Sequence, residues 1–277
     1  MSSLNLKRPG SLDEALSMKG AEPALQPIAG GTDLMVQGLA PSVLDLSRVD
    51  ALRGVEIGDS DELFIGALTT FSEVATSPLV EAWAPVVQEM ARSIGAHTIQ
   101  NRATVGGNIG NASPVGDSLP LWMALDARLR VASAARGVRE IPFEFLFKGY
   151  RTLATQPDEL ILGVVLPEVR RTDFTHYRKV AARAAQAISK VLFAGRLRIE
   201  DGVVAEARIA FGAVAEVPLR LQAVEQALVG HPVDPQVARL VADEVRPIDD
   251  IRSTAEYRRR VSVNVVRAWL EHLAGRA

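Results

Sequence analysis

The chain has 277 residues, of which 48% are hydrophobic, and a formal net charge of −2 at pH 7. Such a chain can bury a core as one large domain or two small ones, and its near-neutral charge leaves no basic excess to attract nucleic acid. It contains no cysteine, which excludes disulfides, thiolate catalysis and a cysteine-bound iron–sulfur cluster within this chain. The opening residues lack the apolar core of a signal peptide and no run approaches ~18 apolar residues, so we expect a cytoplasmic protein without a membrane span.

Residues 1–52 predict a helix followed by a βαβ unit. The helix begins with a capping-box pattern at Ser11, and strands are predicted over residues 25–28 and 43–46. Between the strands, the first glycine loop, Ala29-Gly30-Gly31-Thr32-Asp33, turns the chain, and residues 32–38 predict a short amphipathic helix. The first glycine loop therefore lies at the carboxyl end of a strand, where open α/β sheets bind ligands.

From residue 53 onward the pattern changes to antiparallel strands with inserted helices. Apolar residues from Trp83 to Ile94 recur at helical spacing and predict one buried helix face. The second glycine segment, Thr104-Val105-Gly106-Gly107-Asn108, follows and is predicted to be a loop. Strands are predicted over residues 55–57, 63–65, 129–131, 138–141 and 160–166, of which the first two form a hairpin.

A polar stretch over residues 167–173 predicts a domain boundary. It separates a domain of residues 1–170, with subdomains of about 1–52 and 53–170, from a domain of residues 171–277.

The C-terminal part is predicted to contain a hairpin followed by helices. Strands over residues 191–199 and 203–211 flank the turn Asp201-Gly202. The last helix begins with a capping-box pattern at Ser253. Its predicted buried stripe consists of residues four apart in sequence: Tyr257, Val261, Val265, Trp269 and Leu273.

The two glycine-rich elements indicate an anionic ligand, because each offers backbone N–H groups with no side chain to keep an anion away. An ordinary tight turn explains one such element equally well, whereas the pair favours one extended ligand with two phosphates. The chain has no Gly-x-Gly-x-x-Gly, P-loop, His-Glu-x-x-His or Gly-x-Ser-x-Gly motif. The usual signatures of dinucleotide-binding folds, nucleotide triphosphatases, metalloproteases and serine hydrolases are therefore missing.

Two segments carry a specific resemblance: residues 27–34, Pro-Ile-Ala-Gly-Gly-Thr-Asp-Leu, and residues 104–117, Thr-Val-Gly-Gly-Asn-Ile-Gly-Asn-Ala-Ser-Pro-Val-Gly-Asp. They resemble the motifs of the FAD-binding, or medium, subunits of molybdenum hydroxylases, the family of xanthine dehydrogenase and carbon monoxide dehydrogenase. The resemblance implies an α+β fold. A PCMH-type, vanillyl-alcohol-oxidase-like FAD-binding domain of two α/β subdomains would precede a small C-terminal domain of antiparallel sheet plus helices. Supporting resemblances lie at residues 158–162, 177–179, 187–191 and 253–270.

The resemblance also implies FAD held noncovalently between the two subdomains, with both glycine-rich elements around its pyrophosphate. Side chains of Thr32, Thr104 and Asn108 would add hydrogen bonds. The cofactor-binding residues implied in this way are Pro27, Ile28, Ala29, Gly30, Gly31, Thr32, Asp33, Leu34, Ile94, Thr104, Val105, Gly106, Gly107, Asn108, Asp117, Ile161 and Lys179.

Five of these residues have an ordinary structural alternative. Leu34, Ile94 and Ile161 match positions that pack against the cofactor in the family, but core packing is the commoner role of such residues. Asp117 would accept hydrogen bonds from FAD, or it caps the helix that follows. Lys179 would place a cation near the flavin, where it stabilises the reduced form, or it is a surface charge.

The implied function is electron transfer. FAD on this chain would take electrons from two-iron clusters on an iron–sulfur small subunit, fed by a molybdenum cofactor on a large subunit, and pass them to an external acceptor. A dimer of heterotrimers is expected, and the missing cysteines require the clusters to lie on another chain. We expect no catalytic side chain and no metal ligand here, because the flavin carries the redox chemistry. The alternatives are a stand-alone FAD-dependent oxidase or reductase and a binding or scaffold protein without FAD.

Overall fold

The computed structural model describes residues 4–58, 61–170 and 172–275, and it confirms the predicted α+β class. The strands are β1 (Asn5–Lys7), β2 (Gln26–Ile28), β3 (Ser42–Asp45), β4 (Val55–Ile57), β5 (Leu63–Gly66), β6 (Arg128–Ser133), β7 (Gly137–Pro142), β8 (Phe147–Gly149), β9 (Thr152–Leu153), β10 (Leu160–Leu166), β11 (Phe174–Ala181), β12 (Ser189–Glu200), β13 (Val203–Gly212) and β14 (Leu219–Arg220). The helices are α1 (Leu12–Ala21), α2 (Leu34–Gln37), α3 (Phe71–Thr76), α4 (Pro78–Trp83), α5 (Pro85–Arg92), α6 (His97–Gln100), α7 (Val105–Asn111), α8 (Leu119–Ala124), α9 (Gln222–Leu228), α10 (Val241–Glu244) and α11 (Ala255–Ala274), with 3₁₀ turns at Asp50–Leu52, Phe143–Phe145 and Pro235–Leu240. None of the helices in the described ranges combines the length and apolar character that a bilayer crossing requires.

The N-terminal sheet is parallel and has the order β1-β3-β2, so β2 is an edge strand. Pro27, in the middle of β2, has no N–H to donate, which suits an edge position. The predicted strands before and after the first glycine loop are confirmed. The three-residue strand β1 was not predicted, because so short a segment carries no periodic signal.

Two helices near this sheet differ from prediction. Ser11 caps α1 by accepting a hydrogen bond from the backbone N–H of Glu14 at 3.2 Å, but the Glu14 carboxylate accepts from the Gly10 N–H at 2.6 Å. The capping box is therefore one-sided. Helix α2 is shorter than predicted, and its Met35 and Val36 side chains are exposed rather than packed on an apolar face.

The second sheet is antiparallel, with the order β4-β5-β10-β6-β7, and it contains every strand predicted for residues 53–170. Helices α3, α4, α5, α7 and α8 share a hydrophobic core with it, in which Phe71 and Trp122 are fully buried. The helix predicted from Trp83 to Ile94 is confirmed in its central part as α5, whose buried residues include Val86, Val87, Met90 and Ala91, but Trp83 ends the separate helix α4. Pro85 excludes helical geometry at the residue before it, and Ala84 accordingly has a ψ of 83°.

The second glycine segment is the start of a helix, so its prediction as a loop is wrong. Thr104 is the N-cap of α7, and its hydroxyl accepts a hydrogen bond from the Gly107 N–H at 3.1 Å. Glycine has low helix propensity, but here the tertiary contacts of the first helical turn outweigh it. The Val105 N–H donates to the Thr69 carbonyl at 3.0 Å, which ties the helix start to the segment after β5.

The C-terminal sheet, of order β11-β12-β13-β14, is antiparallel and contains the predicted hairpin around Asp201. Thr254, not Ser253, caps α11. Trp269 and Leu273 of the predicted stripe are buried, whereas Tyr257, Val261 and Val265 are only half-buried. The stripe drifts because residues four apart advance about 40° around a helix of 3.6 residues per turn. The buried residues of α11 are Arg258, Ser262, Val266, Trp269, Leu270 and Leu273.

The C-terminal sheet packs directly on α8 of the preceding part. Leu192, Ala194 and Ala210 of the sheet belong to the same hydrophobic core as the helices. At the edge of this contact, Asp126 accepts hydrogen bonds from Arg196 at 2.7 Å and Arg208 at 2.8 Å. The sheet is therefore held against α8 by apolar packing and by arginines that converge on one carboxylate.

Candidate cofactor site

A cleft of about 600 Å³ lies between the edge strand β2 on one side and α7 with β10 on the other. The first glycine loop, at the carboxyl end of β2, lines it, as do side chains from the segment 151–157. Its volume falls in the range of about 300–1,000 Å³ that is typical of ligand-binding pockets. The cleft is therefore bounded by both glycine-rich elements.

The first glycine loop presents free donors. Among the hydrogen bonds of the described residues, none is donated by the backbone N–H groups of Gly30, Gly31, Thr32 or Asp33. Gly31 has φ +71°, a left-handed conformation that glycine adopts without strain. Successive unpaired N–H groups of this kind form a concave site for an anion.

The second glycine segment differs, because its donors are already used within the protein. The N–H groups of Val105 and Gly106 donate to the Thr69 and Ala67 carbonyls, and those of Gly107 and Asn108 donate to Thr104. This segment contributes a wall and side chains rather than a row of free N–H groups.

Two of the glycines are required by packing between protein segments. A Cβ on Gly30 would lie 1.8 Å from the Arg102 carbonyl oxygen, and a Cβ on Gly106 would lie 2.6 Å from the Ala67 Cβ. A Cβ on Gly107 would meet only the Thr104 hydroxyl, at 2.9 Å. Gly30 therefore lets the first glycine loop touch the chain just before the second glycine segment.

The structure brings together twelve of the seventeen residues implied by the sequence. Gly31 and Val105 belong to the same elements but do not line the cleft, and Ile94 is buried in the hydrophobic core, as its structural alternative predicts. Asp117 and Lys179 lie in a neighbouring cluster, which is linked to the cleft through Ser118 and Asn108. The twelve that line the cleft are Pro27, Ile28, Ala29, Gly30, Thr32, Asp33, Leu34, Thr104, Gly106, Gly107, Asn108 and Ile161.

The neighbouring cluster is a buried ion pair. The Lys179 ammonium donates to the Asp117 carboxylate at 2.6 Å and to the Ser93 carbonyl at 3.0 Å, and Ser189 donates to the other Asp117 oxygen at 2.7 Å. Burial raises the pKa of Asp117, and the Lys179 charge and the two hydrogen bonds oppose that rise. Lys179 is thus not a surface charge: its side chain is 9% exposed.

Asp117 is also not the cap of the following helix. Ser118 occupies the N-cap position of α8, and its hydroxyl donates to the Asn108 Oδ1 at 2.6 Å. That hydrogen bond uses the Asn108 Oδ1, and no hydrogen bond between described residues uses the amide nitrogen of Asn108, which lines the cleft. The helix-capping alternative for Asp117 is therefore wrong.

Several residues of the cleft were not among the sequence predictions. Asn111 lies in the quoted motif and could have been included, but Lys19, Gln26 and Arg151 lie in segments without a motif. The Lys19 ammonium is buried and donates to the Pro23 and Leu25 carbonyls at 2.7 and 2.6 Å. Burial lowers its pKa, and the charge of Asp158 opposes that shift.

No group of three or more histidine, aspartate or glutamate side chains within the described ranges is arranged to hold a metal ion.

Comparison with known proteins gives a consistent result over the whole chain. Residues 2–169 match the family model described as the FAD binding domain in molybdopterin dehydrogenase, and residues 176–273 match the CO dehydrogenase flavoprotein C-terminal domain. The chain is 29% identical to the xanthine dehydrogenase FAD-binding subunit of Escherichia coli O157:H7, over 91% of this chain and 89% of the relative. It is 30% identical to the glyceraldehyde dehydrogenase medium chain of Sulfolobus acidocaldarius, over 92% of each.

The fold is shared with a solved structure of similar size. The chain superposes on a chain of the reconstituted CO dehydrogenase from Oligotropha carboxidovorans with a TM-score of 0.91, at 26% identity and with 99% of each chain covered. The cleft bounded by two glycine-rich elements and the family matches along both halves of the chain support the same assignment. The chain belongs to the family of FAD-binding subunits of molybdopterin dehydrogenases.

Proposed function

We propose that this chain carries FAD as the electron-transfer subunit of a molybdenum hydroxylase, and that the cleft between β2 and α7 holds the cofactor. The observation that carries the proposal is the set of free backbone N–H groups in the first glycine loop, whose residues Gly30, Thr32 and Asp33 line a cleft of about 600 Å³. An anion bound there replaces its hydration shell with fixed dipoles.

The residues of the cleft fit a dinucleotide such as FAD. The pyrophosphate would accept hydrogen bonds from the N–H groups of the first glycine loop, with Thr32 and the Asn108 amide as further donors. Leu34 and Ile161 supply apolar surface for the rings. When bound, FAD supplies the redox chemistry, and the chain supplies position and electrostatics.

We place Ile94, Asp117 and Lys179 at the flavin end of the site, beyond the cleft. The support is their position beside the C-terminal sheet, where Ser189 and Tyr177 complete the buried polar cluster. Because Asp117 neutralises Lys179, this cluster would act on a flavin as a hydrogen-bonded dipole rather than as an isolated cation.

The remaining proposals concern organisation. We divide the chain into a FAD-binding domain of residues 1–170, with subdomains of about 1–52 and 53–170, and a C-terminal domain of residues 171–277. The absence of cysteine supports electron supply from an iron–sulfur subunit, which a molybdenum subunit would feed. A dimer of heterotrimers, an external electron acceptor and a cytoplasmic location complete the proposal.

Affinity purification of the tagged chain from its native source tests this function. We expect FAD, molybdenum and iron to co-purify with the chain in a fixed ratio, and the flavin to be reduced only when the partner subunits are present. A flavin-containing chain that is reduced by its own substrate without partners would support a stand-alone oxidase or reductase instead. A colourless chain that cannot be reconstituted with FAD would contradict both enzyme functions.

A further inference from the structure

Arg151 reaches across the exposed end of the cleft. It lies in the turn between β8 and β9, with φ +51°, and lines the cleft. Its Nη1 donates to the Asn111 Oδ1 at 2.6 Å, at the end of α7, and to the Gln37 Oε1 at 3.4 Å, on α2. The turn thereby joins the two walls that carry the glycine-rich elements.

The position of the Arg151 guanidinium is set by the first glycine loop. The Asn111 amide nitrogen donates to the Asp33 carboxylate at 3.0 Å, which orients the Asn111 oxygen toward Arg151. Asp33 also supplies one of the free N–H groups of the loop. Arg151 is therefore two hydrogen bonds away from the donors proposed for the pyrophosphate.

The charge of Arg151 is available to a ligand. Of the described residues that line the cleft, Lys19 and Arg151 carry positive charge, and Lys19 is engaged by two backbone carbonyls at the buried end. Within the described ranges Arg151 has no carboxylate oxygen within 4.0 Å, and its hydrogen bonds to Asn111 and Gln37 use Nη1 alone. Its Nε and Nη2 remain free to bind phosphate oxygens in the paired geometry that arginine favours.

We propose that Arg151 is a cofactor-binding residue that neutralises the FAD pyrophosphate opposite the first glycine loop, with Asp33 and Asn111 as the residues that position it. This inference rests on the proposed binding of FAD in the cleft. Arg151 lies outside all of the sequence motifs, and its proposed role gives the β8–β9 turn a function in binding the diphosphate.

Titration of the full-length apoprotein with FAD and with riboflavin, which lacks the phosphates, tests the role of Arg151. Flavin fluorescence is followed for the wild type, Arg151→Gln, Arg151→Lys and Lys148→Gln. Lys148 is an exposed cation of the same hairpin that does not line the cleft, so it controls for net charge. Thermal melts confirm that each variant is folded.

We expect Arg151→Gln to raise the Kd for FAD about 10- to 100-fold, as loss of a charge-assisted contact does. In Arg151→Gln the Kd for riboflavin should not change, and the dependence of FAD binding on salt should weaken. Arg151→Lys should retain part of the affinity for FAD. Lys148→Gln should bind FAD like the wild type. Unchanged FAD affinity in Arg151→Gln, or equal losses for FAD and riboflavin, would overturn the inference while leaving FAD binding intact. Failure of the wild type to bind FAD would overturn the proposed function itself.

Discussion

Replacing Gly30 with alanine should disrupt the site by pushing its two glycine-rich elements apart. The added Cβ would lie 1.8 Å from the Arg102 carbonyl oxygen and 2.6 Å from the Arg102 carbonyl carbon, and both contacts are with backbone that has no rotamer to change. Restoring an ordinary contact requires the first glycine loop to move by about 1 Å or more. Overpacking of this kind costs about 1–3 kcal/mol of folding free energy.

The same displacement should also weaken FAD binding, because it moves the backbone N–H groups that are proposed to hold the pyrophosphate. Titration of apoprotein followed by flavin fluorescence should show a Kd raised about 10- to 100-fold, with a melting temperature lowered by ~2–4 °C per kcal/mol lost. Gly20→Ala is the matched control, since its Cβ would make only an ordinary contact with Ala134 at 3.7 Å. An unchanged Kd and an unchanged melting temperature in Gly30→Ala would refute the reasoning.

Three further predictions follow from other parts of the molecule. Gly107→Val should prevent FAD retention, because Gly107 lines the cleft and its added Cβ would lie 2.9 Å from the Thr104 hydroxyl that caps α7. Normal flavin content in this variant would contradict the prediction. Burial alone raises the pKa of Asp250, but hydrogen bonds from Arg258 and two backbone N–H groups lower it to about 2. Asp250→Asn should therefore lower the free energy of unfolding by about 2 kcal/mol at pH 7. This difference should shrink as the pH falls below 3.8 and vanish below about 2. Urea melts of both proteins across that pH range would measure it. Lys179→Met should lower the flavin midpoint potential. The drop should be smaller in a double variant that also lacks the Asp117 carboxylate. Equal potentials in the wild type and Lys179→Met would show that the buried pair does not act on the flavin.

The sequence pattern was sufficient for the family, the fold class and twelve of the residues that line the cleft. Diglycine turns and strand periodicity are local signals, so the first glycine loop was correctly located after a strand. The strands of the second sheet and the hairpin strands β12 and β13 were also identified, whereas β11 and β14 were not predicted. The twelve implied residues that line the cleft come from short contiguous segments for the same reason.

The remaining features depend on contacts between residues far apart in sequence. The second glycine segment is helical because Thr69 and Ala67 bind its first N–H groups, and glycine propensity gives no hint of that. The pairing of Asp117 with Lys179 depends on packing of the C-terminal sheet against the preceding helices. Arg151 enters the cleft from a turn without a motif. These are features of tertiary structure that neither periodicity nor local motifs can reveal.

The central claim is that the first glycine loop holds the diphosphate of FAD, and titration of the full-length apoprotein with FAD tests it most directly. We predict saturable binding of one FAD per chain, competition by ADP, which shares the diphosphate, and loss of that competition in Gly30→Ala. A chain that binds no FAD, or that binds FAD with equal affinity in the wild type and Gly30→Ala, would contradict the account.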